Sequence, residues 1–208
     1  MKLVDMTVTD YLDILRSDAP APGGGSVSAL AGAQGCALFM MVCDLTTSKK
    51  KYEEHHAFCA DVKAKGEALF TELSAQIDKD TDADNLIANA FKMPKETDEE
   101  KAARSKAIAD GTLTATEVPF RTMQLGYEGL KLAASIRDKS NPNCASDLGV
   151  GILHLRDCVY GAWLNVKINL PGVKNPEQAR YFEEEGQKMF SDAGRIAQKA
   201  FNDIAGSL

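Results

Sequence analysis

One stretch of the sequence, Ser146 to Asn169, constrains the fold more than any other. Placed on a helical wheel, Asp147, Gly151, His154, Cys158, Gly161, Asn165 and Asn169 follow steps of three and four and fall within about 40° of one line. Nearly every other position is apolar, including Leu148, Val150, Ile152, Leu155, Val159, Trp163, Leu164, Val166 and Ile168. A helix that is apolar almost all round belongs in an interior. Asp and Asn buried there need partners, because an unpaired polar group costs about 1–3 kcal/mol. Two readings follow. The plain one is close helix packing through small residues. The sharper one is a helix lining a polar ligand cleft.

The rest of the chain points the same way. No segment keeps the two-residue alternation of a strand, while helical spacing recurs throughout. A first helix is expected from Asp5 or Thr7 to Arg16. A small-residue helix runs from the Gly23-Gly24-Gly25-Ser26 turn to about Asp44, and a long one from near Tyr52 to Phe91. Thr97 and Glu100 form a capping box for the next. That helix is expected to bend or break between Gly111 and Pro119 and to resume from Val118 to Lys139. Asn141-Pro142-Asn143 reads as a turn. Asn175-Pro176-Glu177 opens a last helix to about Ala205. The fold class is therefore all-α, a multi-helix bundle of five to seven helices in one domain over residues 1–208. Two inner helices are more apolar than one small chain can cover, so a homodimer is expected.

Composition narrows the function classes. With 208 residues, 44% hydrophobic, a single core is affordable. The net charge of −6 and the absence of a basic stripe exclude a nucleic-acid partner. The uncharged run Ala19 to Cys43 is broken by Pro22 and three glycines, which argues against a membrane span. The N-terminus has no signal-peptide core. Five scattered cysteines, without metal-ligand spacing, suit free thiols in the cytoplasm.

Several residues could carry chemistry. Gly23, Gly24, Gly25 and Ser26 precede a helix and leave N–H groups for an anion or a carbonyl oxygen, or else they make a tight packing turn. Lys49-Lys50-Lys51 is a solvated run or a binder of carboxylates. Asp78, Asp80, Asp82 and Asp84 crowd one helix. Most belong in water, and one turned inward could bind or deprotonate a ligand. The spacing lacks the Gly and Glu of a calcium loop, and no Glu-x-x-His pair suggests a metal bundle. His154 is a core group or a proton carrier.

In order and spacing the sequence resembles the cyclodeaminase/cyclohydrolase family of folate enzymes. The resemblance rests on Pro20-Ala21-Pro22-Gly23-Gly24-Gly25-Ser26 and on Leu45-Thr46 with Lys49-Lys50-Lys51-Tyr52. It continues in Asp80 with Ala83, Ala90-Phe91-Lys92-Met93-Pro94-Lys95 and Glu117-Val118-Pro119-Phe120. It ends with Asn141, Asn143, Ser146-Asp147-Leu148-Gly149 and Asn165-Val166-Lys167-Ile168-Asn169-Leu170. It departs at Asp84, where the family often has an aromatic residue. It implies an all-α homodimer that binds a reduced folate, possibly polyglutamylated. The implied reactions are hydration of 5,10-methenyltetrahydrofolate to 10-formyltetrahydrofolate, or ring closure of 5-formimidoyltetrahydrofolate with loss of ammonia. No metal and no cofactor beyond the folate is implied. The length of the chain, without a transferase half, favours the cyclohydrolase. Under this resemblance Asp147 is the first choice for the catalytic carboxylate, Asp80 the second, and His154 a proton shuttle. Asn165 and Asn169 hold the pterin or formyl oxygen, Gly23 to Ser26 offer N–H groups, and Lys50 attracts the glutamate tail. A non-catalytic helical interaction module is the competing class.

Overall fold

A computed structural model describes residues 2–208. They form six α-helices: α1 (Val8–Leu15), α2 (Gly24–Thr47), α3 (His56–Phe91), α4 (Asp98–Ser135), α5 (Ala145–Asn169) and α6 (Pro176–Ala205). Short 3-10 turns at Leu3–Asp5, Lys50–His55, Pro142–Cys144 and Leu170–Gly172 link or precede them. There is no strand among the described residues.

The starts follow from local chemistry. Thr7 Oγ1 accepts the Asp10 N–H ahead of α1. Thr97 and Glu100 close both halves of a capping box on α4. Asn175 Oδ1 accepts from the Glu177 and Gln178 N–H groups ahead of Pro176. Only α2, among these long helices with expected starts, begins on glycine with no side-chain cap of its own.

Helices α2, α3, α4 and α5 close a four-membered ring in which each packs on the next, and α6 covers the α4–α5 side. Phe39, Leu73, Met123, Leu130, Ile152, Leu155 and Val159 fill the core. Pairs of α2 and α5 fix an antiparallel register: Gly24 meets Asn165, Ser28 meets Gly161, Gly32 meets Cys158, Gly35 meets Leu155 and Leu38 meets Gly151. In this zipper the two backbones approach so closely that a Cβ on Gly35 would stand 2.8 Å from the Gly151 carbonyl oxygen.

Four expectations change. The α4 helix does not break between Gly111 and Pro119. It runs unbroken to Ser135, because Asn169 from α5 donates to the Ala115 carbonyl that Pro119 leaves without a helical partner. Gly24 and Gly25 stand inside the first turn of α2 rather than before it, and only Gly23 precedes the helix. The helix they open has mean hydropathy 1.6 and the length of a membrane span, and its packing on α3 and α5 accounts for much of that apolarity. The polar line of α5 is mostly the zipper face, so its middle does not line a cleft. Nor is α5 covered all round, since Val150, Leu164 and Ile168 lie exposed. Val27, Met41 and Leu45 on α2 are exposed as well.

Candidate functional site

The zipper divides the polar residues between two ends of the bundle. At one end α2 begins. Ser26 is fully buried, and its N–H donates to Asp80 Oδ2 of α3 at 2.7 Å. Its Oγ donates to the Ile77 carbonyl at 2.8 Å and stands 3.1 Å from the same Oδ2. Asp80 thus performs, from another helix, the capping that Gly23 cannot supply. Gly25 makes this possible, because a Cβ there would fall on the Asp80 carboxylate.

The electrostatics of this carboxylate are mixed. Burial, followed by the charge of Asp84 one turn on, pushes its pKa up, while the two Ser26 hydrogen bonds pull it down, and the net direction is up. Burial also raises Asp84. Asp80 Oδ1 receives no donor among the described residues. It can therefore exchange a proton with a ligand while Oδ2 stays anchored.

Asn165 stands beside Gly24, its amide nitrogen 3.4 Å from where a Gly24 Cβ would be. That nitrogen donates to the Gly161 carbonyl at 2.8 Å. Asn169 donates to the Ala115 carbonyl at 2.8 Å and to that of Asn165 at 3.1 Å. Its N–H groups therefore serve the fold, which leaves its Oδ1 for other contacts. Gly23, Gly24, Gly25, Ser26, Asp80 and Asn165 do come together.

The other expected residues do not join them. Asp147 opens α5, eighteen residues from Asn165, which is about 27 Å along the axis. It stands near Cys144, whose thiol pKa is raised by burial and then by the Asp147 charge. Lys50 follows the far end of α2 and is exposed. At this second end Asn141 ties the chain down. Its N–H donates to Thr46 Oγ1 at 2.9 Å, and its Oδ1 accepts from Tyr52 Oη at 3.1 Å. His154 is half-buried, eleven residues or about 16 Å from Asn165, with Nδ1 unpartnered. Within one chain, then, Asp147 and Lys50 lie at the other end of the bundle from Asp80, and His154 lies between the two ends. The rise of the helix and the antiparallel register keep them apart.

Two residues of the Asp80 end have no sequence signal. Gln76, one turn before Asp80 on α3, is 3% exposed, and its buried Oε1 has no hydrogen-bond partner among the described residues. Tyr11 of α1 is buried, and its hydroxyl has no partner among the described residues. All five cysteines are buried and free. Burial lifts the Cys36 and Cys43 thiols to about 12, out of the range of nucleophiles.

Residues 7–188 match the sequence model described as formiminotransferase-cyclodeaminase. A methenyltetrahydrofolate cyclohydrolase of Methylorubrum extorquens is 37% identical over 198 residues, covering 95% of each chain. The formimidoyltransferase-cyclodeaminase of Gallus gallus is also 37% identical, over 82% of this chain and 32% of its own length. The chain thus spans about a third of that relative. The crystal structure of formiminotetrahydrofolate cyclodeaminase from Thermotoga maritima superposes with a TM-score of 0.81, covering 100% of this chain and 98% of that one. At 20% identity that likeness speaks for the fold.

Proposed function

This chain belongs to the formiminotransferase-cyclodeaminase family, and on that premise we propose that it is a methenyltetrahydrofolate cyclohydrolase acting at the Asp80 end of the bundle. The observation that carries the reading is 37% identity to a cyclohydrolase over 95% of both chains.

The bridging carbon of 5,10-methenyltetrahydrofolate lies between N5 and N10 and is already electrophilic. The protein needs to orient a water and move protons. In this reading Asp80 Oδ1 takes one proton from the attacking water and passes it to solvent. The water oxygen bonds to the carbon, the C–N5 bond breaks, and the second water proton ends on N5. The product is 10-formyltetrahydrofolate. The raised pKa of Asp80 suits a group that must hold and release a proton. The unpartnered N–H groups at the start of α2 and the Asn165 amide supply polar contacts to the folate. The reaction proceeds on the folate alone, without metal or cofactor, in the cytoplasm.

The second reading is the cyclodeaminase reaction at the same carbon, favoured by the identity to the Gallus gallus protein. Absorbance of 5,10-methenyltetrahydrofolate, followed with and without the protein, tests the first. Accelerated loss to 10-formyltetrahydrofolate supports it. No acceleration, with turnover of 5-formimidoyltetrahydrofolate, replaces it by the second.

A homodimer is part of the proposal. Val27, Met41 and Leu45 of α2 and Val150, Leu164 and Ile168 of α5 leave large apolar side chains bare on neighbouring central helices. Pairing with a second copy covers such a face. A single-chain mass in solution would remove this part of the reading.

A further inference from the structure

Ser26 Oγ stands 2.8 Å from the Ile77 carbonyl oxygen and 3.1 Å from Asp80 Oδ2. One hydroxyl reaches both because the Asp80 side chain folds back over the turn that precedes it, the way helical side chains lean. Gln76 stands on that turn, four residues before Asp80. Residues so spaced share a helix face, with Cβ atoms about 5–6 Å apart. Gln76 is 3% exposed, and its buried Oε1 has no partner among the described residues. A buried carboxamide oxygen calls for a donor. Asp80 Oδ1, itself without a donor among the described residues, becomes one as soon as it carries a proton.

We propose that Gln76 is a positioning residue of the Asp80 site, its Oε1 accepting a hydrogen bond from Asp80 Oδ1 once that oxygen has taken the proton of the attacking water. This rests on the cyclohydrolase reading above. Between proton capture and release Asp80 is a neutral acid, and its O–H needs a fixed acceptor that leaves Oδ2 on Ser26. A hydrogen bond to the neutral form also makes the carboxylate a stronger base. Burial and the Asp84 charge act in the same sense. Of the other titratable groups on or beside α3, Asp78 accepts the Leu3 N–H, and burial holds the Tyr11 phenol of α1 in its protonated form. From α2 there is no charge between Gly24 and Cys43. On α4, Arg121 is paired with Glu72, and Asp110 and Glu117 are exposed, as are Lys2 and Asp5 near the first turn. Gln76 is thus a neutral partner set against the one buried carboxylate of this end.

The test is Gln76→Met in the full chain, which keeps the length of the side chain and removes its polar atoms. The Asp80 titration is read by carboxyl NMR and by the acid limb of kcat/KM on 5,10-methenyltetrahydrofolate. Losing the acceptor of the neutral form should lower the Asp80 midpoint by roughly 0.5–1 pH unit. As a weaker base, the variant should show a kcat lower by roughly two- to fivefold on the plateau, with KM within about twofold. A glutamine that serves only packing would leave the midpoint where it is. Asp80→Asn supplies an independent check by stability, because its amide N–H stands in for the proton on Oδ1. Gln76→Met should then lower the melting temperature by roughly 1–6 °C in the Asp80→Asn background, and not in the wild type above the Asp80 midpoint. A midpoint that stays or rises, or equal effects of Gln76→Met in both backgrounds, overturns the proposal while leaving the function reading intact. A wild type that turns over neither folate overturns both.

Discussion

Gly25→Ala adds one methyl group in the first turn of α2 and should be the most damaging small change in the chain. The new Cβ would sit 2.7 Å from Asp80 Oδ2 and closer still to the rest of the carboxylate. Something has to move, and both sides are anchored. Asp80 is held by Ser26, and α2 is locked into the zipper with α5. Losing the Ser26 N–H to carboxylate bond costs about 1.5–3 kcal/mol, and leaving the buried carboxylate short of a donor adds to it. The helix gains at most about 1 kcal/mol from alanine over glycine. The net loss is about 2–4 kcal/mol, or roughly 4–16 °C in melting temperature for a chain of this size. Turnover should fall with it, because the displaced group is the proposed base. The neighbours provide the control. A Cβ on Gly24 meets Asn165 at 3.4 Å, an ordinary contact, and one on Gly23 meets nothing within 4 Å. Gly24→Ala should therefore melt at or slightly above the wild type and Gly23→Ala close to it. Thermal unfolding of the three variants by circular dichroism, with the absorbance assay beside it, decides the matter. Equal melting temperatures at Gly24→Ala and Gly25→Ala, or full activity in Gly25→Ala, would refute the reasoning.

Three further outcomes are expected. Asn169→Ala should cost about 1–3 kcal/mol by stripping the Ala115 carbonyl of its donor, and much less in a Pro119→Ala background, where residue 119 regains its own N–H. A double-mutant cycle with no coupling would disprove this link. Asp80→Asn should abolish turnover and gain stability relative to the wild type as pH rises. The raised pKa means that the folded chain binds the Asp80 proton more tightly than the unfolded one. Wild-type stability therefore falls as pH climbs from the ordinary 3.8 through the raised folded value, and Asn cannot titrate. A gap in melting temperature that is flat with pH would contradict the burial argument. Asp147→Asn, at the far end of α5, should keep turnover within a fewfold; loss of most activity would mean that a single chain does not contain the whole site.

How far the sequence could be read depends on the range of the interactions involved. Caps are local, so Thr97 with Glu100 and Asn175 with Pro176 marked the starts of α4 and α6 correctly. The small-residue faces of α2 and α5 were visible as periodicity, and so was the need for close backbones. What periodicity cannot give is register. Asp147 and Asn165 share one stripe on a wheel, which has no axial coordinate, and the rise of the helix puts them about 27 Å apart. The inward member of the aspartate cluster could not be chosen either. Asp80 is selected by Gly25 and Ser26, more than fifty positions earlier in the chain. Pro119 looked like a break because its remedy, Asn169, comes from another helix. Tyr11 gave no sign at all, since an aromatic on a short amphipathic helix fits a core equally well.

The α2–α5 zipper has a consequence for how the protein is made. Gly24 and Asn165 are 141 residues apart in the chain. At translation rates of about 5–20 residues per second, α2 leaves the ribosome roughly 7–28 s before its partner stretch of α5 has been synthesised. During that interval the most apolar helix of the molecule has α3 and part of α4 to lean on, but not the glycine-rich surface cut to receive it. The Gly25–Ser26–Asp80 corner can form early, since α3 follows α2 directly. Its Asn165 wall arrives last. Nascent chains stalled before residue 165 should therefore carry half a site and a sticky flank, and there holding chaperones would find their grip.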